Sequence, residues 1–488
     1  MLTYSKKLMK HFKNPKFVKK LKNPDAVGEV GNIVCGDIMR LELKIEKDKA
    51  GNPKIKDIGF QTFGCLPPKE KVLLEEGDWV DVNSVNIGKS VLNSDGEKTK
   101  VIENYVRDYN GDLITFTPFV SKFNSFSVTS EHPILCIKRK RLKSARKNGK
   151  FNWLRINEKE LLSIKPEFIE AKEIEEGDYI LFVPNSKVKD SNKFTKEIMK
   201  IIGYYLAEGY TTAKGNVVTF SFNKNEIEYI NEVKELLKKV TEKLAKERTR
   251  KNVTEVYICS KKWADFFVNV CGKYARNKKL SDEILILPFK KQWNMIETYI
   301  NGDGNIYKRR IKDSPTYRIT TASRNLAIQI QEILARGKIF ASIKKEKRIR
   351  ENHYIEGRKV PYNQYYEISF KLERKNKFYY YNGKSILVPI KKVEMKNYVG
   401  KVYNFQVAGE PFSYLVKGFA VHNCPAAVAS SDVVCEIAKG KTLKQAEKIN
   451  KDDIVKKLGG MPPIKIHCSI LGIEALKKAI GNYEGKSK

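Results

Sequence analysis

Two cysteines 359 positions apart constrain this chain more than any other feature. Cys65 follows Phe63-Gly64, and Cys424 follows His422-Asn423. With residues 65–423 removed, the join reads Gln61-Thr62-Phe63-Gly64-Cys424-Pro425-Ala426-Ala427. The 64 residues before the cut and the 65 after it are together the size of one ordinary domain. The 359 residues between them are then a separate body. The side chains at the two ends have chemistry to match. The carboxamide of Asn423 can attack its own backbone carbonyl. A cysteine thiolate is a strong nucleophile near neutral pH. His422 exchanges protons in the same range.

The pattern along the chain supports a nested organisation. Residues 1–22 read as a basic helix with Leu8, Phe12 and Phe17 as apolar points, broken by Asn23-Pro24. Residues 39–46 alternate apolar and charged, as a strand with one wet face does, and a second strand is expected over 55–63. From 65 to about 185 the chain reads as short strands separated by Gly, Asn and Asp, so an all-β body is expected. From about 195 it changes. A helix over 194–210, a strand over 216–222 and a helix over 226–244 follow, the last with Ile227, Ile230, Val233, Leu236, Leu237 and Val240 on one face. The same order returns at 292–301, 317–321 and 326–335, an internal repeat offset by roughly a hundred residues. Residues 361–370 read as a further strand, and short strands resume over 386–423. Helices are expected over 426–438, 442–449 and 451–458, with a last one starting near Ser469.

The formal charge is +36, of which +24 lies within 65–423. A surface that basic favours a polyanion, and a Lys/Glu-rich surface suited to high temperature is the alternative. The eight cysteines are widely spaced, nothing resembles a secretory signal, and no apolar run approaches a membrane span. The chain is therefore expected in a reducing, cytoplasmic compartment with no membrane partner.

Four groups resemble those of protein-splicing elements, or inteins: Cys65 at the head, Thr129-Ser130-Glu131-His132, the terminal His422-Asn423, and Cys424 behind it. The resemblance implies a horseshoe-shaped all-β Hint domain over 65–185 and 386–423. It also implies that Cys65, Thr129, His132, His422, Asn423 and Cys424 splice the chain with no cofactor, joining Gly64 to Cys424. Two positions depart from the family pattern. Asn404 stands where an Asp is usual, and Phe412 or Ser413 where a second His often lies.

Gly203-Tyr204-Tyr205-Leu206-Ala207-Glu208-Gly209 and Thr298-Tyr299-Ile300-Asn301-Gly302-Asp303-Gly304 open the two repeats, each with an acid just before a glycine. Small residues let two helices pack closely, which would pair Glu208 with Asp303. Paired carboxylates suit a hard cation such as Mg²⁺. The repeats resemble the LAGLIDADG homing endonucleases. That implies an α+β domain over 186–385 with two pseudo-symmetric repeats that cuts double-stranded DNA, with Glu208 and Asp303 holding metal.

The joined flanks, 1–64 and 424–488, resemble the IscU/NifU-like iron–sulfur cluster scaffolds. The resemblance rests on Tyr4-Ser5, Cys35-Gly36-Asp37, Thr62-Phe63-Gly64-Cys424, Ala429-Ser430-Ser431 and Pro462-Pro463-Ile464-Lys465-Ile466-His467-Cys468. It implies an α+β domain whose Cys35, Cys424 and Cys468, with Asp37 or His467, hold an iron–sulfur cluster or Zn²⁺. It also implies a cysteine desulfurase and cluster acceptors as partners, and a chaperone that reads Met461-Pro462-Pro463-Ile464-Lys465. The whole is thus multidomain. A chain that cleaves without ligation, or a DNA-binding protein with a metal-binding tail that never splices, are the competing readings.

Overall fold

The computed structural model describes the whole chain except residues 1–4, 14, 18, 20, 32–37, 63, 76, 131, 144–145, 148–149, 152–155, 213, 309, 311–313, 349–353, 356–357, 360–362, 374–377, 410, 423–424, 462–465 and 487–488. The described residues fall into three bodies, each with its own buried hydrophobic residues.

The outer core is built from both ends of the chain. Strands Ala26–Gly31, Ile38–Lys47 and Pro53–Thr62 form an antiparallel sheet in that order. Its inward residues Met39, Leu41, Leu43, Ile58 and Phe60 pack with Ala429, Val433, Leu471 and Leu476 of helices Pro425–Ala438 and Ile466–Lys486. Buried Asp432, beyond the insert, accepts from the backbone N–H of Lys16 at 2.6 Å and Phe17 at 2.9 Å and lies 2.8 Å from His11 Nδ1, all before it. The two flanks are therefore one domain while the insert is in place. The first helix is only Lys6–Lys13, not the expected 1–22, because Pro15 lacks the N–H a helix needs to continue. The helix expected over 442–449 is one turn, Leu443–Ala446, and the last helix starts at Ile466 rather than near Ser469.

The second body is a twelve-stranded sheet assembled from 71–182 and 380–422. Most strands are short, as the turn residues imply. Two are not: Lys98–Pro118 and Ile386–Val407 pair antiparallel from Ile390↔Pro118 to Val407↔Val101. Asn110-Gly111 has the composition of a hairpin turn, yet it lies mid-strand opposite Val399 and Tyr398. One short helix, Glu158–Ser163, interrupts the strands.

The third body holds two helix–strand–helix repeats. Helices Lys196–Glu208 and Phe289–Asp303 pack together at its centre, and each leads into a four-stranded antiparallel sheet. Helix Ile227–Thr241 buries Ile230, Val233, Leu236 and Leu237, but Ile227 lies on its open first turn and is exposed. Helix Arg324–Arg336 is buried all round. Leu326, Ile330 and Leu334 belong to the core of the repeats, whereas Ile328, Ala335 and the following Phe340 sit in the cores of the twelve-stranded body. The two inserted bodies thus share a helix. No described helix is long and apolar enough to cross a membrane.

Candidate functional site

The Gly64–Cys65 peptide is held by three separate segments. The backbone N–H of Cys65 donates to Thr129 Oγ1 at 2.9 Å, and Thr129 N–H donates to the Cys65 carbonyl at 2.9 Å. Strand Phe126–Thr129 ends there, and His132 N–H closes the turn onto the Thr129 carbonyl at 3.0 Å. A Cβ added to Gly64 would lie 2.6 Å from His132 Cα and 3.0 Å from its Nδ1, so only glycine fits beside that ring. On the opposite side Asn404 Nδ2 donates to the Gly64 carbonyl oxygen. Its orientation is fixed, because Asn404 Oδ1 accepts from Phe405 N–H at 2.7 Å and Tyr414 O–H at 2.8 Å.

Cys65, Thr129 and His132 are all buried. Burial drives the His132 pKa down to about 3, against a weaker upward pull from the Gly64 backbone. Among the described residues neither ring nitrogen meets a partner in good hydrogen-bond geometry. His132 is therefore neutral at physiological pH. Strand Phe419–His422 pairs Val421 with Ile134, two residues past His132, and the half-buried His422 ring lies 4.3 Å from that of Phe168. The structure thus brings four of the expected residues, Cys65, Thr129, His132 and His422, to one end of the sheet. Asn423 and Cys424 lie outside the described residues. Asn404, which sequence marked only as a departure, contacts the Gly64 carbonyl. Ser413 donates no side chain there: its Oγ accepts from Ser94 N–H at 2.8 Å. Phe412 is buried in the core of the flanks.

In the repeats, small residues allow the central helices to touch. A Cβ on Gly203 would fall 2.0 Å from Thr298 Oγ1, and one on Gly302 would fall 2.5 Å from Ala207 Cβ. Thr298 Oγ1 donates across the pair to the Lys200 carbonyl at 2.8 Å. The same contact sets Glu208 and Asp303 together at the helix ends. Burial first, and then the Asp303 charge, raise the Glu208 pKa to about 7. Lys278 is the third charged group. Its Nζ donates to the Tyr205 and Leu206 carbonyls at 2.8 Å, and burial lowers its pKa to about 8 while Asp303 and Glu208 oppose the shift. Sequence could not single it out among 93 Lys and Arg residues. Among the described residues no three His, Cys, Asp or Glu gather as a ready metal cage. Two carboxylates fit Mg²⁺ all the same, since that ion keeps waters and takes phosphate oxygens.

Of the scaffold residues, Cys35, Asp37 and Cys424 lie outside the described residues. His467 and Cys468 fall on the first turn of helix Ile466–Lys486. Cys136 and Cys435 are buried in cores.

Comparison with known proteins matches both ends of the chain and a stretch between them. The pattern of the NifU-like N terminal domain matches residues 3–67 and 416–488. That of the LAGLIDADG-like domain matches 291–378. The iron–sulfur cluster assembly scaffold protein IscU 1 of Archaeoglobus fulgidus is 38% identical over 105 residues, 20% of this chain and 68% of that protein. An iron–sulfur cluster assembly SufBD family protein of Mycobacterium tuberculosis is 33% identical over 374 residues, 76% of this chain. This chain spans 44% of that relative's length. Among solved structures, the homing endonuclease I-DmoI in complex with DNA and Ca covers 37% of this chain and 85% of its own, with 16% identity and a TM-score of 0.27.

Proposed function

Because the chain belongs to the NifU/IscU-like scaffold family, its domain divided by an insertion that carries a LAGLIDADG-like domain, we propose that the insertion splices itself out and joins Gly64 to Cys424. The grip of Thr129, His132 and Asn404 on one peptide bond carries this reading. The Cys65 sulfur attacks the Gly64 carbonyl. Asn404 Nδ2 already points at the oxygen on which negative charge develops, as an oxyanion donor must. Neutral His132 takes the thiol proton and returns it to the Cys65 nitrogen, which leaves as an amine once the C–N bond breaks. Thr129 Oγ1 holds that nitrogen in place throughout. Cys424 displaces Cys65 from the thioester, and Asn423 cyclises beside His422 to release the insert. The sulfur-to-nitrogen shift at Cys424 then restores a peptide bond. The β body would thus act as a Hint domain.

The mycobacterial relative supports an insertion that is independent of its host. Its match is far longer than the two flanks together, so it runs through the insert, although the two proteins bear different names. Freshly made chain should resolve on a gel into joined flanks of 129 residues and an insert of 359. Persistence of the full chain, or flanks released unjoined, would overturn the reading; Cys65→Ala should block release of the N-terminal flank.

The freed insert is proposed to cut double-stranded DNA. The two four-stranded sheets, one per repeat, would lie along the major groove, with the exposed strand Lys246–Arg250 gripping phosphates. Glu208 and Asp303 would hold Mg²⁺, which supplies an activated water and screens phosphate charge. Lys278 ties down the end of the helix that presents Glu208 and adds positive charge beside it. The joined flanks would carry a labile iron–sulfur cluster on Cys35, Cys424 and Cys468 with Asp37 or His467, loaded by a cysteine desulfurase and passed to acceptors.

A further inference from the structure

The side chain around which splicing turns is covered by an aromatic face with no assigned role. Cys65 is buried against Val402, and Tyr105, Tyr109 and Tyr398 pack on that pair. All three come from the long two-stranded ribbon. Pairing sets Gly400 opposite Tyr109, Tyr398 opposite Gly111 and Asn404 opposite Tyr105. Alternation then puts Tyr105, Tyr109, Tyr398, Val402 and Asn404 on one face, the face that meets the Gly64–Cys65 bond. The two glycines make room for the rings. A Cβ on Gly111 would lie 2.9 Å from the Tyr109 ring, and one on Gly400 would lie 2.7 Å from the Tyr398 hydroxyl. The hydroxyls are tied back into the ribbon: Tyr109 to the Asp112 carbonyl at 2.9 Å, Tyr398 to the Lys401 carbonyl at 3.1 Å, and Tyr105 to Gln406 Oε1 at 2.8 Å.

We propose that Tyr109 and Tyr398 are a water-excluding cover over the Gly64–Cys65 thioester, which directs it to the intramolecular thiol rather than to hydrolysis. This rests on the splicing reading above and concerns its side reaction. In hydrolysis, water oxygen adds to the Gly64 carbonyl, the C–S bond breaks, the Cys65 sulfur keeps a proton, and the N-terminal flank departs as a carboxylate. A thioester lasting until Cys424 arrives needs that water kept out. Aromatic rings tethered at their polar ends do this without leaving a buried hydroxyl unsatisfied. A purely structural role, rings lying over glycines to fix ribbon register, would affect stability but not the fate of the thioester.

The test uses full-length precursor carrying Asn423→Ala and Cys424→Ala, which can go no further than the thioester. Release of residues 1–64 is timed with and without dithiothreitol. Tyr109→Ala and Tyr398→Ala, singly and together, should raise thiol-free release about tenfold, equivalent to about 1.4 kcal/mol of barrier. Tyr→Phe at either site should restore the slow rate. Unchanged thiol-free release in folded single variants overturns the cover, and the singles decide if the double variant does not fold. If the parent releases nothing even with dithiothreitol, no thioester forms and the splicing reading itself falls.

Discussion

His132 gives a pH dependence that can be worked from the structure. Its pKa is held near 3, against an ordinary value of 6.5, because burial penalises the imidazolium. A group with a folded-state pKa below the unfolded one favours the unfolded chain whenever that chain takes up the proton. The neutral His132 is thus fully compatible with folding above about pH 6.5, and stability falls as pH drops toward 3. With these two pKa values the loss between pH 7 and pH 5 is about 2 kcal/mol. Other groups titrate in the same range, notably Glu208, raised to about 7 and so shifting stability the opposite way. The comparison must therefore be between a splicing-blocked precursor with Asn423→Ala and Cys424→Ala and the same chain with His132→Gln. Urea unfolding of the β body at both pH values gives four stabilities. The parent should lose about 2 kcal/mol more than the Gln variant. Equal losses within about 0.5 kcal/mol would mean that the ring already carries its proton or meets water, and the neutral-base role for His132 would go with it.

Three further outcomes follow from packing. Gly203→Val would drive its side chain into Thr298 and the Met295 carbonyl; it should abolish the proposed DNA cleavage and cost about 1–3 kcal/mol in the body of the two repeats, read by calorimetry. Phe340→Ala removes a ring that packs on Phe182 and Phe419, the latter in the strand that carries His422. It should destabilise the β body by about 3–5 kcal/mol and slow the proposed splicing, although Phe340 lies in the segment that matches the LAGLIDADG-like domain. Phe412→Ala should lower the melting temperature of blocked precursor and leave that of the spliced flanks unchanged, since the residue departs with the insert.

The nesting was legible because each level has its own period. Residues 39–46 alternate by two, the repeats by three and four, and the cut restores one strand-to-helix join. Glu208 and Asp303 could be paired from sequence because Gly203 and Gly302 announce close helices. What escaped depends on distant partners. Asn404 looked like a defect by residue type, and only the Tyr414 hydroxyl and Phe405 N–H show which end of its amide meets Gly64. The long ribbon was hidden by Asn110-Gly111, a turn signal overridden by pairing with the facing strand. Helix Arg324–Arg336 looked like a one-domain element because its second apolar face answers to the β body, which no local periodicity reveals.

The shared cores bear on how splicing could be timed. Asp432 clasps Lys16 and Phe17 across the insertion, so the host domain is folded while the insert is in place. Phe412, from the insert, enters that host core at φ +51°, a backbone conformation that costs a non-glycine residue about 1–2 kcal/mol. Burying a phenylalanine side chain is worth about 1.5–3 kcal/mol, enough to offset the strain only while the host core is there to receive it. An unfolded host would withdraw the contact and release strain in the segment leading to strand Ser413–Val416, whose partner strand ends at His422. On the proposed splicing reading, the host would thus help to hold the strand that ends at His422. The effective concentration that the last proposed steps need would then come from the folded scaffold as well as from the β body.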